Sequence, residues 1–530
     1  MTAMTLPANG QAERTLFGHP IGLYVCFFTE MWERFSFYGM KGLLLLYLTK
    51  YHLFSDEHGY NLLGAYGGLV YAVPVLGGLL ADRYLGMRKA VTFGAVLLVL
   101  GHLGMAVEGH AATSVNGVVT RDEGALQVFY FSLALIIMGV GFLKPNISTI
   151  VGKLYPDNDP RRESGFTLFY AGINLGATIA PLLCAWLGET YGWRYGFGAA
   201  GVGMAAGLAV FLWGQKYLMG HAEPREPERL KERVLGFLNR EWAIYLGAGA
   251  GLFVIWGLIQ AHSVVLALIP GTFEPSPVLL GMHTVATVLT IGVLWFMFKH
   301  CSKIERQQMF CVLLFVVGGL LFYTVYEQTY GSWVLFSDRV MNREALGVTW
   351  SAGQLTSLGA IGIIALTPIF VWLWPALERV GLNPSKPAKT GLGLIAAGCS
   401  FLILVWSARH PEANGLTGFW WFVLAYFVLA LGEIMLSPIG LDAVTQLSVP
   451  RVVSLMMGAW WLGTSYSEVL AAKIGAWSAI EVPEGTSLDV VHALAKYDEI
   501  FVFSAKLGIG CGLFFLIITP LMKRWMHGVR

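Results

Sequence analysis

The sequence predicts an all-α membrane protein of fourteen hydrophobic helices, and three observations predict it. Of the 530 residues, 56% are hydrophobic and only 13% charged, against about 25% charged in a soluble domain. Apolar stretches of the ~20 residues that a bilayer span needs recur along the chain. Lys and Arg crowd into alternate connections between those stretches. The mean hydropathy of +0.62 agrees. A β-barrel needs alternating segments of ~10 residues, whereas runs such as 92–107 and 508–521 are continuously apolar.

The first six helices are expected near 20–50, 57–82, 88–108, 125–153, 163–188 and 194–218. Two more follow near 241–265 and 277–299. The last six are expected near 307–337, 347–377, 389–408, 417–447, 452–478 and 498–522. The domain reading is therefore a tail 1–19, a six-helix bundle 20–218, a charged linker 219–240, an extra helix pair with its linker 241–306, a second six-helix bundle 307–522 and a tail 523–530. Assigning the connections alternately to the two sides gives 23 Lys and Arg on one side, among them Arg14, Arg225 and Arg530, against 7 on the other. Basic loops stay in the cytoplasm, so both termini are placed there, which requires an even number of spans. The first ~20 residues lack the pattern of a cleaved signal peptide.

A net charge of +2 is too small to imply nucleic acid. The six cysteines are scattered without CxxC or Cys/His spacing, so neither a metal site nor a disulfide framework is expected. No cofactor is expected either.

Several ionisable residues fall inside the expected spans, among them Glu30, Glu33, Arg34 and Lys41 in the first helix, Lys144 in the fourth, and Glu327 and Glu433 in the seventh and tenth of the twelve core helices. Each costs about 2.5–3.5 kcal/mol at a helix centre, so they must pair or line a water-filled cavity. At about 100° per residue, Glu30, Glu33, Arg34, Phe37 and Lys41 share one sector roughly 100° wide, with Tyr38 at its edge. A salt-bridge cluster that only fixes packing is the plain alternative, but two acids and two bases on one stripe exceed that need. The charged core helices 1, 4, 7 and 10 each open a three-helix block. Transporters are often built from such repeats, with the site near the midplane.

Several segments resemble one family. Glu30-Met-Trp-Glu33-Arg34-Phe-Ser-Phe-Tyr38-Gly39 resembles the ExxERFxYYG motif of the proton-dependent oligopeptide transporters of the major facilitator superfamily, and the two extra helices resemble those of the family's bacterial members. Gly77-Gly78-Leu-Leu-Ala-Asp82-Arg83-Tyr-Leu-Gly86-Met-Arg88-Lys89 is similar to the superfamily's loop between helices 2 and 3. Phe142-Leu-Lys144-Pro145-Asn146-Ile-Ser resembles FxKPNIS, and the segment Gly165 to Gly176 resembles the helix 5 signature. Gly432-Glu433-Ile-Met-Leu-Ser437-Pro438 and Met456-Met457-Gly458-Ala-Trp460 are similar to helices 10 and 11. The likeness runs from about residue 20 to 528.

The resemblance implies two six-helix bundles around a cavity that opens alternately to each side, and proton-coupled uptake of di- and tripeptides across the bacterial inner membrane by a monomer. It implies proton-coupling roles for Glu30, Glu33, Arg34, Lys144 and Glu327, and substrate contacts by Tyr38, Lys41, Tyr71, Lys144, Asn174, Tyr323, Glu433, Ser437 and Trp460. It implies gating by Lys41 with Glu327 and by Asp82, Arg83 and Arg88. A peptide's carboxylate needs a cation, which Lys41 and Lys144 supply, and its ammonium needs an anion, which Glu433 supplies.

Three departures stand out. Lys41 occupies the family's usual arginine position and loses the guanidinium fork. Gly359 stands where relatives carry Asn, and Glu468 where they tend to have Asn. The same fold carrying an amino acid, a drug-like molecule or nitrate is the alternative, and Glu433 would repel nitrate. A channel, receptor or membrane enzyme is a more distant alternative, because no nucleophilic triad, His-rich cluster or phosphate loop appears.

Overall fold

The computed structural model describes residues 15–156, 159–224, 226–263, 276–481 and 488–529. Arg14, Arg225 and Arg530 of the charge count lie outside the described residues. Among the described residues the secondary structure is helical apart from four short two-stranded hairpins. The first six long helices are α1 (Ile21–Leu46), α2 (Asp56–Leu80), α3 (Met87–Met105), α4 (Glu123–Lys153), α5 (Arg161–Tyr191) and α6 (Trp193–Gly214). A five-residue helix, α7 (Pro227–Lys231), precedes the extra pair α8 (Arg240–Gln260) and α9 (Pro277–His300). Then come α10 (Lys303–Tyr326), α11 (Ser332–Arg339), α12 (Ser357–Arg379), α13 (Lys386–Arg409), α14 (Phe419–Leu447), α15 (Val453–Ala476) and α16 (Val490–Trp525).

Twelve helical segments are long and apolar enough to cross a membrane. Helices α1 and α15 are not among them. The first carries Glu30, Glu33, Arg34 and Lys41, and the second carries Thr464, Ser465, Ser467, Glu468 and Lys473. Packing against protein lets them tolerate this polarity, since Glu33, Arg34, Lys41, Ser465 and Glu468 are all buried.

The expected helix near 307–337 is broken. A tight turn Glu327–Tyr330 ends α10, and Gly331 at φ −109°, ψ −106° restarts the chain as α11. The expected helix near 347–377 begins only at Gln354–Thr356, because a hairpin pairs Glu344–Ala345 with Val348–Thr349. Its Leu346-Gly347 turn has both φ values positive, the backbone that two-residue hairpins require. Asn116-Gly117 makes the same turn in the hairpin before α4. The expected helix near 498–522 starts earlier, at Val490, where Asp489 accepts hydrogen bonds from the Val491 and His492 amides as an N-cap.

The chain gathers into two compact units. Unit 1 runs to Leu43 and adds Ala72–Ala111 and Arg121–Gln260. In it α3 packs on α4 and α6, α5 on α6, and α8 on α4. Unit 2 holds Leu44–Tyr71, Ala112–Thr120 and everything from Ala261 onward. There α13 packs on α14 and α16, and α10 on α14 and α15.

Candidate functional site

Unit 1 carries an acid–base ladder on α1. Glu30, Glu33, Arg34 and Lys41 are all nearly inaccessible to solvent. Arg34 grips Glu33 with two nitrogens: Nε donates to Oε2, and Nη2 donates to Oε1 at 2.6 Å. Its Nε also lies 3.5 Å from Glu30 Oε1, one turn back. The guanidinium rests on aromatic faces, 4.8 Å from the Phe37 centroid and 5.7 Å from that of Tyr38, while Lys41 Nζ lies 5.8 Å from the Phe37 centroid. Lys144 of α4 lies within electrostatic range of Glu30, Glu33, Arg34 and Lys41. The structure thus brings together the first helix's charges and the lysine of the fourth.

The two acids differ. Both oxygens of Glu33 are engaged by Arg34. Glu30 Oε2 is buried and accepts no hydrogen bond from the described residues. Spacing along the sequence gives no warning of this asymmetry, because both acids lie on the same stripe.

Asn174 sits on α5, buried, with its amide donating to the Tyr170 carbonyl at 3.1 Å. Near it, Gly176 abuts α1 at Met31 and Arg34. Farther along unit 1, Asp82 and Arg83 are exposed in the turn Ala81–Leu85. Arg88 is held inside its own unit, by the Glu223 carboxylate, by Gln215 Oε1 at 3.2 Å and through its amide by the Ala222 carbonyl at 2.9 Å.

Unit 2 gathers the acids. Glu433 of α14 accepts a hydrogen bond from Tyr326 and feels the charge of Glu327. Its Oε2 accepts no hydrogen bond from the described residues. Tyr323 Oη and Ser437 Oγ are 2.8 Å apart. The six-membered ring of the Trp460 indole lies against Gly319 of α10 and Gly440 of α14, where a Cβ at either position would strike it. Tyr71 is the last residue of the α2 half that belongs to this unit, and Gly359 opens toward the Tyr326 hydroxyl. Glu468 is buried with its carboxylate against Gly67.

Sequence reasoning misses one pair entirely. Asp56, at the start of α2, receives Arg339 of α11 in a two-pronged bridge of 2.6 and 2.7 Å. The Ile480 amide adds a third donor at 3.0 Å. Arg339 reads as an ordinary loop cation in the sequence. Only the 283-residue separation closed by the fold gives it a partner.

A helical membrane protein with a desolvated acid–base ladder in its first helix is built as a transporter and not as an enzyme. The chain belongs to the POT family, whose model matches residues 88–479. It is 33% identical over 486 residues to "Peptide transporter YePEPT" of Yersinia enterocolitica, covering 89% of this chain and 90% of that one. It is 31% identical over 536 residues to the "Di-/tripeptide transporter" of Lactococcus lactis, covering 98% and 99%. The "Uncharacterized transporter YclF" of Bacillus subtilis is 32% identical over 527 residues, covering 98% and 97%. Among solved structures, a peptide transporter POT in complex with sulfate superimposes with a TM-score of 0.78 at 31% identity, covering 97% of this chain and 98% of that one.

Proposed function

We propose that this chain is a proton-coupled symporter that imports di- and tripeptides across the bacterial inner membrane by alternating access, with both termini cytoplasmic. The observation that carries the reading is the ladder Glu30–Arg34–Glu33 with Lys144 in range. Buried acids next to movable cations change protonation when the cation moves. A peptide carboxylate that draws Lys144 away removes positive charge from the ladder and lets a carboxyl take up a proton.

The asymmetry between the acids supports Glu30 as the carrier of that proton. A proton on Glu33 would have to displace an Arg34 nitrogen, whereas Glu30 Oε2 has no donor to lose. Glu327 serves as a second acid, linked to closure of the periplasmic side with Lys41. Charges of both signs suit a zwitterion: carboxylate to Lys41 and Lys144, ammonium to Glu433, with Tyr38, Tyr71, Asn174, Tyr323, Ser437 and Trp460 as the remaining walls. Asp82, Arg83 and Arg88 act at the cytoplasmic gate. The peptide cargo is also supported by the printed names of relatives above 30% identity, one a peptide transporter and one a di-/tripeptide transporter.

Reconstitution in liposomes tests the reading. Dipeptide should accumulate above its external concentration when the lumen is alkaline, and an uncoupler should abolish the accumulation. Failure to accumulate any di- or tripeptide under a proton gradient would overturn it.

A further inference from the structure

The two extra helices treat the charges at one end in opposite ways. The charge bias places the start of α8 and the end of α9 on the same side of the membrane. At the start of α8 the cations are neutralised: Lys89 Nζ lies 2.6 Å from Glu241, and Arg240 Nη2 lies 2.8 Å from Glu232. At the end of α9 they are not. Lys299, Lys303 and Arg306 have no carboxylate within ion-pair distance among the described residues, whereas Arg451 has Glu305 at 3.8 Å. The other oxygen of that carboxylate accepts from the Ser302 amide at 2.7 Å, in the capping box that starts α10.

The two arginines converge on consecutive carbonyls. Arg451 Nη2 donates to His300 O at 3.3 Å, and Arg306 Nη2 donates to Cys301 O at 3.4 Å. Both are contacts to the end of α9, where the helix dipole favours cations. These bonds use one nitrogen of each guanidinium. The buried Nε of Arg306 has no acceptor. Each cation also lies along a ring: Arg306 is 5.1 Å from the Phe298 centroid, Arg451 is 5.7 Å from Phe296, and Lys299 Nζ is 4.8 Å from Trp295. Val288, Ile291, Trp295 and Phe298 are exposed along α9, so this face meets the bilayer. Long cations beside exposed rings at a helix end lie at headgroup depth.

We propose that the turn between α9 and α10 binds an anionic phospholipid of the phosphatidylglycerol class. The phosphodiester sits between Arg306 and Arg451, with Lys299 and Lys303 adding charge. The acyl chains lie on the Val288–Phe298 stripe. The inner leaflet supplies such headgroups, and basic sites between membrane helices on that side recognise them. The end of α9 is thereby tied to the start of α10 through a lipid where the protein itself offers too few acids.

The purified full chain in detergent tests this by its thermal midpoint. Dioleoylphosphatidylglycerol should raise the midpoint, and dioleoylphosphatidylcholine, with the same tails and no net charge, should not. The Arg306→Gln/Arg451→Gln variant should lose at least half of the rise, and the control Lys89→Gln/Arg240→Gln should keep it. High salt should weaken the effect in the unmodified chain, a readout that needs no variant to fold. Equal stabilisation by both lipids, a rise unchanged in the arginine variant or insensitive to salt, or the same rise from inorganic phosphate alone would each overturn the proposal.

Discussion

The two units both bury acids and stabilise them by different means. In unit 1 the Glu33 carboxylate is locked by a guanidinium on its own helix, with a second acid one turn away. In unit 2 the Glu433 carboxylate has a tyrosine hydroxyl and the like charge of Glu327. A buried ion pair is costly to break, because the surviving partner is left charged in a low dielectric. A carboxylate held by a neutral hydroxyl has no such partner. Glu33 on α1 is therefore tied to stability, while Glu433 on α14 is held by a neutral hydroxyl.

The largest expected effect follows from that difference. Glu33→Gln removes the two-pronged partner of Arg34 and leaves it Glu30 at 3.5 Å, so it should cost up to about 3–5 kcal/mol, seen as a fall in thermal midpoint and in yield of folded protein. Asp56→Asn should come next, at about 3 kcal/mol, because it strands Arg339. Glu433→Gln should invert the pattern: a stability change of about 1 kcal/mol or less, with dipeptide affinity falling at least about tenfold, the loss of one charge-assisted contact. If Glu433→Gln unfolds the protein as readily as Glu33→Gln does, the contrast between the two acids is wrong.

The smallest effect lies outside the membrane. Asp122 caps α4, and the Ala125 amide, then His110, hold its carboxyl below the usual range. A lowered folded-state value means that the carboxylate's contribution is present at neutral pH and is lost as pH falls through that value. Asp122→Asn should flatten the acid side of the stability profile slightly and leave transport unchanged.

Much of this was legible before the fold was known. Apolar length located the helices, and helical periodicity put Glu30, Glu33, Arg34 and Lys41 on one face. The breaks were harder. Glu327–Tyr330 is a short polar interruption between two apolar stretches, brief enough to pass as one turn of a continuing helix, and Gly331 adds no spacing signal there. The Leu346-Gly347 hairpin replaced an expected helical turn because its backbone needs two positive φ values. The Asp56–Arg339 bridge and the seat of Trp460 on Gly319 and Gly440 depend on contacts between distant helices, which no local pattern encodes. The difference between Glu30 and Glu33 was hidden for another reason: it depends on which carboxylate the Arg34 fork grips.

That difference is the most direct test of the account. Glu30→Gln should be reconstituted beside the unmodified chain, and two uptakes measured in each: accumulation driven by a proton gradient, and exchange against peptide preloaded inside. The account predicts that Glu30→Gln folds, exchanges at a rate within about twofold of the unmodified chain, and accumulates nothing above equilibrium. Gradient-driven accumulation by Glu30→Gln at the unmodified level would contradict it, because the proton would then travel on another group.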